Sequence, residues 1–158
     1  MPPWTQVHPL IVHFPIALLM VAPLLVLLGV LWPSQRVGIH FAALVVLILG
    51  TLGALLALAS GEAASGLAQR TPELRAAVER HEHFAQLSTI FFAGLTFCFA
   101  VLWGIPRISN WNPSKSLLLF MQLLWLAASA GAVLTLAITG HIGGRMVHEL
   151  GIHLSPGP

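Results

Sequence analysis

Of the 158 residues, 57% are hydrophobic and only 8% carry a formal charge, a balance that excludes a soluble domain with a solvated surface. The net charge of +2 comes from seven basic and five acidic residues with no basic run among them, so a nucleic-acid surface is excluded as well. The single cysteine, Cys98, leaves no disulfide framework within the chain.

Four apolar stretches come close to the ~20 residues that cross a bilayer core, at Pro9–Leu31, Val37–Ser60, His83–Gly104 and Ser116–His141. The expected fold is all-α: a four-transmembrane-helix bundle with up-down connectivity, one integral membrane domain over 1–158. The segment before the first span, MPPWTQVH, has no Lys or Arg, and the apolar run after it exceeds a signal-peptide core. The first span is therefore expected to stay in the mature protein. Within it, HPLIVHFPI puts His8 at the water boundary and His13 roughly 7 Å deeper, and five residues of helix turn the two imidazoles about 140° apart. They cannot serve one ligand from one helix face. His8 reads as an interfacial cap or as a ligand; His13, deeper where an ionisable group is expensive, is the better ligand candidate. Pro9 suits a first helical turn, and Pro15 needs neighbours to satisfy the backbone it frees.

The second span carries a small-residue seam, Gly53, Ala57 and Gly61, suited to close helix packing. After it, TPELRAAVERHEH opens with a helix-start signal at Thr71, Pro72 and Glu73 and sets charge opposite Leu74, Ala77 and Val78. This segment is expected to form a short amphipathic surface helix between helices two and three. It ends in His81 and His83, which stand about 200° apart on a helix, so only one can face the bundle. His83 leads into Gln86, Leu87, Ile90 and Gly94 and is expected inward, as a ligand or as a helix-start hydrogen-bonding residue; His81 is expected to face headgroups or solvent. Cys98 reads as packing. In the fourth span Gly131, Leu134, Ile138 and His141 share helical spacing. That stripe leaves room beside an imidazole for a flat macrocycle, or simply for a neighbouring helix. The tail GGRMVHELGIHLSPGP opens on glycines and is expected to fold back as a cap. Trp4, Trp32, Trp103 and Trp111 lie at or just beyond span ends, where indoles favour the headgroup layer, while Trp125 reads as packing.

Four spans put both termini and the 61–82 loop on one side of the membrane, together with seven of the eight histidines: His8, His13, His81, His83, His141, His148 and His153. The two short connections opposite carry Arg36, Arg107 and Lys115 without an acidic residue, against Arg70, Arg75, Arg80 and Arg145 on the histidine side. With an uncharged N-terminus, the positive-inside rule leans toward cytoplasmic short loops, so the histidine side is expected to be periplasmic or extracellular.

Several neutral imidazoles near one membrane face suit haem iron, with its porphyrin in an apolar slot and its propionates near water. Zinc or copper could use the same set. No CxxCH motif is present, so a haem would be b-type. Glu62 and His148 could support the ligands, and Arg70, Arg80 and Arg145 could meet carboxylates at the surface or stay solvated. No P-loop, dinucleotide-binding glycine motif, nucleophile elbow or close carboxylate pair is visible, which makes a stand-alone enzyme the weaker class.

HPLIVHFPIALL and TGHIGGRMVHELG, read together, resemble the opening and closing signatures of a small four-helix bacterial membrane family catalogued as domain of unknown function 2231. The similarity spans nearly the whole chain, with a histidine at the start of the third helix matching His83 or His81. It implies a compact four-helix membrane domain, and relatives joined to or near Rieske-type and other redox proteins favour electron transfer. It carries over His8, His13, His141, Gly143 and Gly144. The family's closing motif usually reads like GGxLVYxHG; here His148 takes the tyrosine place and Leu150 the histidine place.

The resulting expectation is a b-type cytochrome or haem-bearing anchor subunit in a bacterial inner membrane. It would relay electrons between quinone and an extracytoplasmic redox partner, within a respiratory or photosynthetic complex. His13, His83 and His141 are the first-choice ligands of one or two haem b groups, with His8 the fourth if there are two. The alternatives are a non-catalytic accessory subunit of a larger membrane redox complex and an outer-face zinc or copper site.

Overall fold

Four helices make up the described chain: α1 (Trp4–Leu31), α2 (Arg36–Ser65), α3 (Pro72–Ile108) and α4 (Lys115–His148). The computed structural model describes the backbone of residues 4–65, 72–109 and 111–149, and the side-chain surroundings of residues 11–62, 72–109 and 111–149. No strand occurs among the described residues. Helices dominate because a chain in lipid must satisfy its own peptide groups, and an α-helix does so within one segment. All four are long and apolar enough to cross a membrane. Breaks fall where the sequence supplies them. α1 ends just before Pro33, with the Trp32 amide still bonded to the Leu28 carbonyl at 2.9 Å. α4 starts after Ser114, whose hydroxyl accepts from the Leu117 amide at 3.2 Å and caps the helix.

The helices form an antiparallel ring in chain order. α1 packs most extensively on α2 and α3 on α4, and the α2–α3 and α1–α4 contacts close the ring. Small residues set the α1–α2 spacing. Leu19 lies against Gly50, and Pro15 against Gly53, the seam glycine of the second span, so neighbours do cover the buried proline. At the other end His40, only 3% exposed, lays its ring over Gly29, donates from Nε2 to the Val26 carbonyl at 3.3 Å and meets Phe99 of α3 edge-on at 5.5 Å. The pairs Pro15–Gly53, Leu19–Gly50 and Gly29–His40 step in opposite directions along the two helices, as antiparallel packing requires. Between α2 and α3 the hydroxyls of Thr51 and Thr96 share a hydrogen bond of 2.9 Å. Between α3 and α4 the Trp125 indole donates to the Leu95 carbonyl at 2.9 Å, in keeping with its packing role.

Four expectations need correction. The amphipathic segment after residue 71 is no separate surface helix; it is the first three turns of α3. No glycine or proline interrupts the chain from Glu73 to Ala93, and Leu74 and Val78 bury against Met146 of α4 rather than against lipid. α4 likewise runs through Gly143 and Gly144 to His148 instead of turning into a cap at the glycines; residues 150–158 lie outside the described region. At 37 and 34 residues, α3 and α4 span roughly 55 and 50 Å, well beyond a ~30 Å hydrocarbon core, so this hairpin projects past the bilayer. Trp103 turns inward against the Phe41 ring, 5.8 Å away, rather than joining the headgroup belt.

The fourth correction concerns which faces look inward. The buried stripe of α3 runs through Leu74, Val78, Ser88, Phe92 and Phe99, and that of α4 through Trp125, Ser129, Ala132, Leu136, Thr139 and Met146. The stripes expected inward lie on the opposite sides, with Ile90 66% and Leu134 61% exposed and Cys98 exposed beside them. Lipid accepts these residues as readily as a protein core does, so hydrophobicity does not choose the face.

Because a methyl at Gly29 would overlap Cδ2 and Nε2 of His40, Gly29→Ala should destabilise the α1–α2 hairpin by about 1–3 kcal/mol. Thermal unfolding in detergent should record the loss, and the double variant Gly29→Ala/His40→Ala should recover part of it.

Candidate functional site

α1 begins, α3 begins and α4 ends at the same end of the antiparallel ring, which gathers the candidate imidazoles there. The structure places them as follows. His13 is exposed, two residues and about 160° round α1 from buried Pro15. His83 is exposed on the outer side of α3, its ring edge-on to that of Phe84 at 5.8 Å. His141 is exposed on α4, two residues beyond buried Thr139. His8 lies within α1, but its side chain, like all of His153, falls outside the described residues. The three described first-choice candidates thus share an end of the bundle while each looks away from its interior. Among the described residues no three His, Cys, Asp or Glu side chains come close enough together to hold a metal ion.

The imidazole that does enter the bundle at this end is His81. The Thr139 carbonyl can only accept, so His81 donates from Nδ1, at 3.1 Å, and a neutral ring then keeps its lone pair on Nε2. The ring lies against the Gly143 backbone, where a Cβ would stand 3.1 Å from Cε1. Just inside, the Ser88 and Thr139 hydroxyls lie 3.3 Å apart while bonding to Phe84 and Thr135 carbonyls of their own helices. Thr139 and Gly143 of the closing motif therefore have a shared physical task, holding the α3 histidine against α4. The preference for His83 over His81 as the inward residue is reversed by the continuity of α3. Leu74, Ala77, Val78 and His81 form one stripe once the segment is read as a single helix, and that spacing was the available signal.

His40 was also missed, since it lies apart from the other seven. Its part is to dock α1 on α2, helped by Arg36, which donates to the Gly29 carbonyl at 3.4 Å. The surface groups expected near carboxylates divide. Arg145 pairs with Glu149 at 2.8 Å, Arg80 lies 5.9 Å from the Phe84 ring centre, and Arg70 falls outside the described residues. Glu62 and His148 are exposed.

Gly131 does leave space, though not beside His141. It lines an open apolar groove of about 340 Å³ on the outer α3–α4 seam with Ile90, Gly94, Cys98 and Ala128. His141 is ten residues, roughly 15 Å, further along α4.

Residues 5–156 match the model of a family described as predicted membrane protein (DUF2231), and the chain belongs to that family. No curated protein and no solved structure matches it.

Replacing His81 with Leu removes the inter-helix hydrogen bond and should cost about 0.5–1.5 kcal/mol of stability in detergent. His83→Leu, on the outer side of the same helix, should leave the melting temperature within error of the parent.

Proposed function

We propose that this family member is a membrane anchor subunit that offers imidazoles outward, to a haem b shared with a neighbouring subunit, and so relays electrons between quinone and an extracytoplasmic redox partner. The observation that carries the reading is the placement of His13, His83 and His141 at one end of the bundle, each on the outer face of a different helix. Imidazoles on the outer face of a bundle can be reached by a cofactor or partner from outside it. These three do not fit a haem enclosed by a single chain, because no two look into one slot. Each could instead hold a haem jointly with a residue of another chain, and His8 remains the fourth candidate. When bound, haem supplies one-electron exchange; the chain's own residues position the imidazoles and exclude water from their apolar flank. Held by imidazoles, such a haem would supply electron transfer rather than oxygen chemistry.

The complex purified from its native membrane should give a reduced b-type absorption spectrum and no carbon monoxide adduct. Alanine at His13, His83 or His141 should lower haem content without loss of the inserted fold. Haem retained in all three variants would remove the ligand assignment.

A second reading, an accessory subunit without a cofactor, draws support from His40 and His81, both of which serve to dock helices. Absence of haem from the native complex would favour it, and metal analysis would then test for zinc or copper.

The orientation belongs to the same proposal, with the histidine end facing away from the cytoplasm in a bacterial inner membrane. In a Cys98→Ser background, Ser65→Cys should react with an impermeant thiol reagent in intact cells and Ser109→Cys should not. The reverse pattern would put the electron partner in the cytosol.

A further inference from the structure

Two buried polar atoms meet no hydrogen-bond partner among the described residues: the indole Nε1–H of Trp103 on α3 and the carboxamide Oε1 of Gln122 on α4. The first can only donate and the second can only accept. Gln122 is 8% exposed, and an unmade hydrogen bond of this kind is unfavourable wherever water cannot reach it.

The two atoms belong to one level of the bundle. The Ser88–Thr139 contact fixes the register of α3 against α4. From it Trp103 lies fifteen residues along α3, about 22 Å, and Gln122 seventeen residues back along α4, about 26 Å, both toward the short-connection end. Less than one helical turn separates them along the axis. Both also sit on inward stripes, Trp103 after Phe92 and Phe99, Gln122 before Trp125 and Ser129. The Trp103 ring contacts the Phe41 ring at 5.8 Å and the Arg107 guanidinium stands 4.0 Å from its centre, two contacts that restrain the indole. Trp125, by contrast, reaches the Leu95 carbonyl, so this core satisfies an indole when a carbonyl is within range.

We propose that Trp103 and Gln122 form a buried binding site for a single hydroxyl group, whose oxygen accepts from the indole N–H and whose proton is donated to the carboxamide oxygen. A hydroxyl is the smallest group that answers both atoms at once. Water supplies one, and so does the hydroxyl head of an amphiphile, such as a quinol, entering from the bilayer.

The test is NMR of the full chain labelled with ¹⁵N at its indoles, in micelles, before and after lipid extraction. Trp103→Phe assigns the resonance, and the Trp125 indole, fixed on Leu95, reports that the fold is intact. If water fills the site, the Trp103 indole proton shows a cross-peak to water in lipid-stripped protein. If an amphiphile fills it, stripping abolishes the Trp103 cross-peak and adding back the lipid extract or a short-chain quinol restores it. In both cases Gln122→Met should remove the cross-peak and shift Trp103 while leaving Trp125 in place. A Trp103 indole proton in the unaltered protein with no hydroxyl cross-peak, with or without lipid, overturns the proposal. So does one that is indifferent to Gln122→Met.

Discussion

Apolar side chains gain nothing by leaving lipid for a protein interior, and the rest of this structure follows from that constraint. With no hydrophobic gradient to sort its faces, the bundle is organised by close approach and by hydrogen bonds between helices. Gly29, Gly50 and Gly53 let α1 and α2 approach closely, and the gaps are filled by His40, Leu19 and Pro15. Thr51 with Thr96, Trp125 with Leu95, and His81 with Thr139 then join α2 to α3 and α3 to α4 through polar atoms that lipid could not satisfy. The interior is consequently richer in hydroxyls and amides than the outer surface, where Leu, Ile and Phe face the acyl chains.

The same constraint divides the histidines into two physical kinds. His40 and His81 are interior, each donating one ring nitrogen to a carbonyl of a neighbouring helix and each resting on a glycine. His13, His83 and His141 are exterior. An interior imidazole with a satisfied N–H stabilises packing. The exterior ones at the histidine end are exposed to what the bundle meets, and the proposed function draws on that exposure. The proposed electron-transfer role therefore belongs to an assembly, with this chain as one wall of the site.

Beyond the bilayer the rules change, and α3 and α4 register the change. Leu74, Val78 and Met146 bury together while Arg75 with Glu79 and Arg145 with Glu149 lie outside, an ordinary amphipathic arrangement in water. These exposed i,i+4 pairs contribute little to stability. The apolar contact holds the projecting hairpin together and keeps His81 in line with Thr139 and Gly143.

From the sequence alone, run length and charge distribution determined that there are four membrane helices, roughly where each lies, and which end carries the histidines; backbone satisfaction in lipid leaves a 20-residue apolar run few other choices. The closing and opening motifs likewise identified the family. Helix facing was not legible, because an apolar residue is tolerated on either side of a lipid-bathed helix. The stripes ending in His83 and His141 therefore read equally well inward and outward. Nor was the continuity of α3 legible, since an amphipathic segment next to a span suits a membrane surface as well as a second helix. Tertiary structure decided both. Met146 of α4 gave Leu74 and Val78 a partner and made the segment part of α3, and the Thr139 carbonyl with the open backbone of Gly143 drew in His81 rather than His83, because only there did an imidazole N–H find an acceptor and the space to reach it.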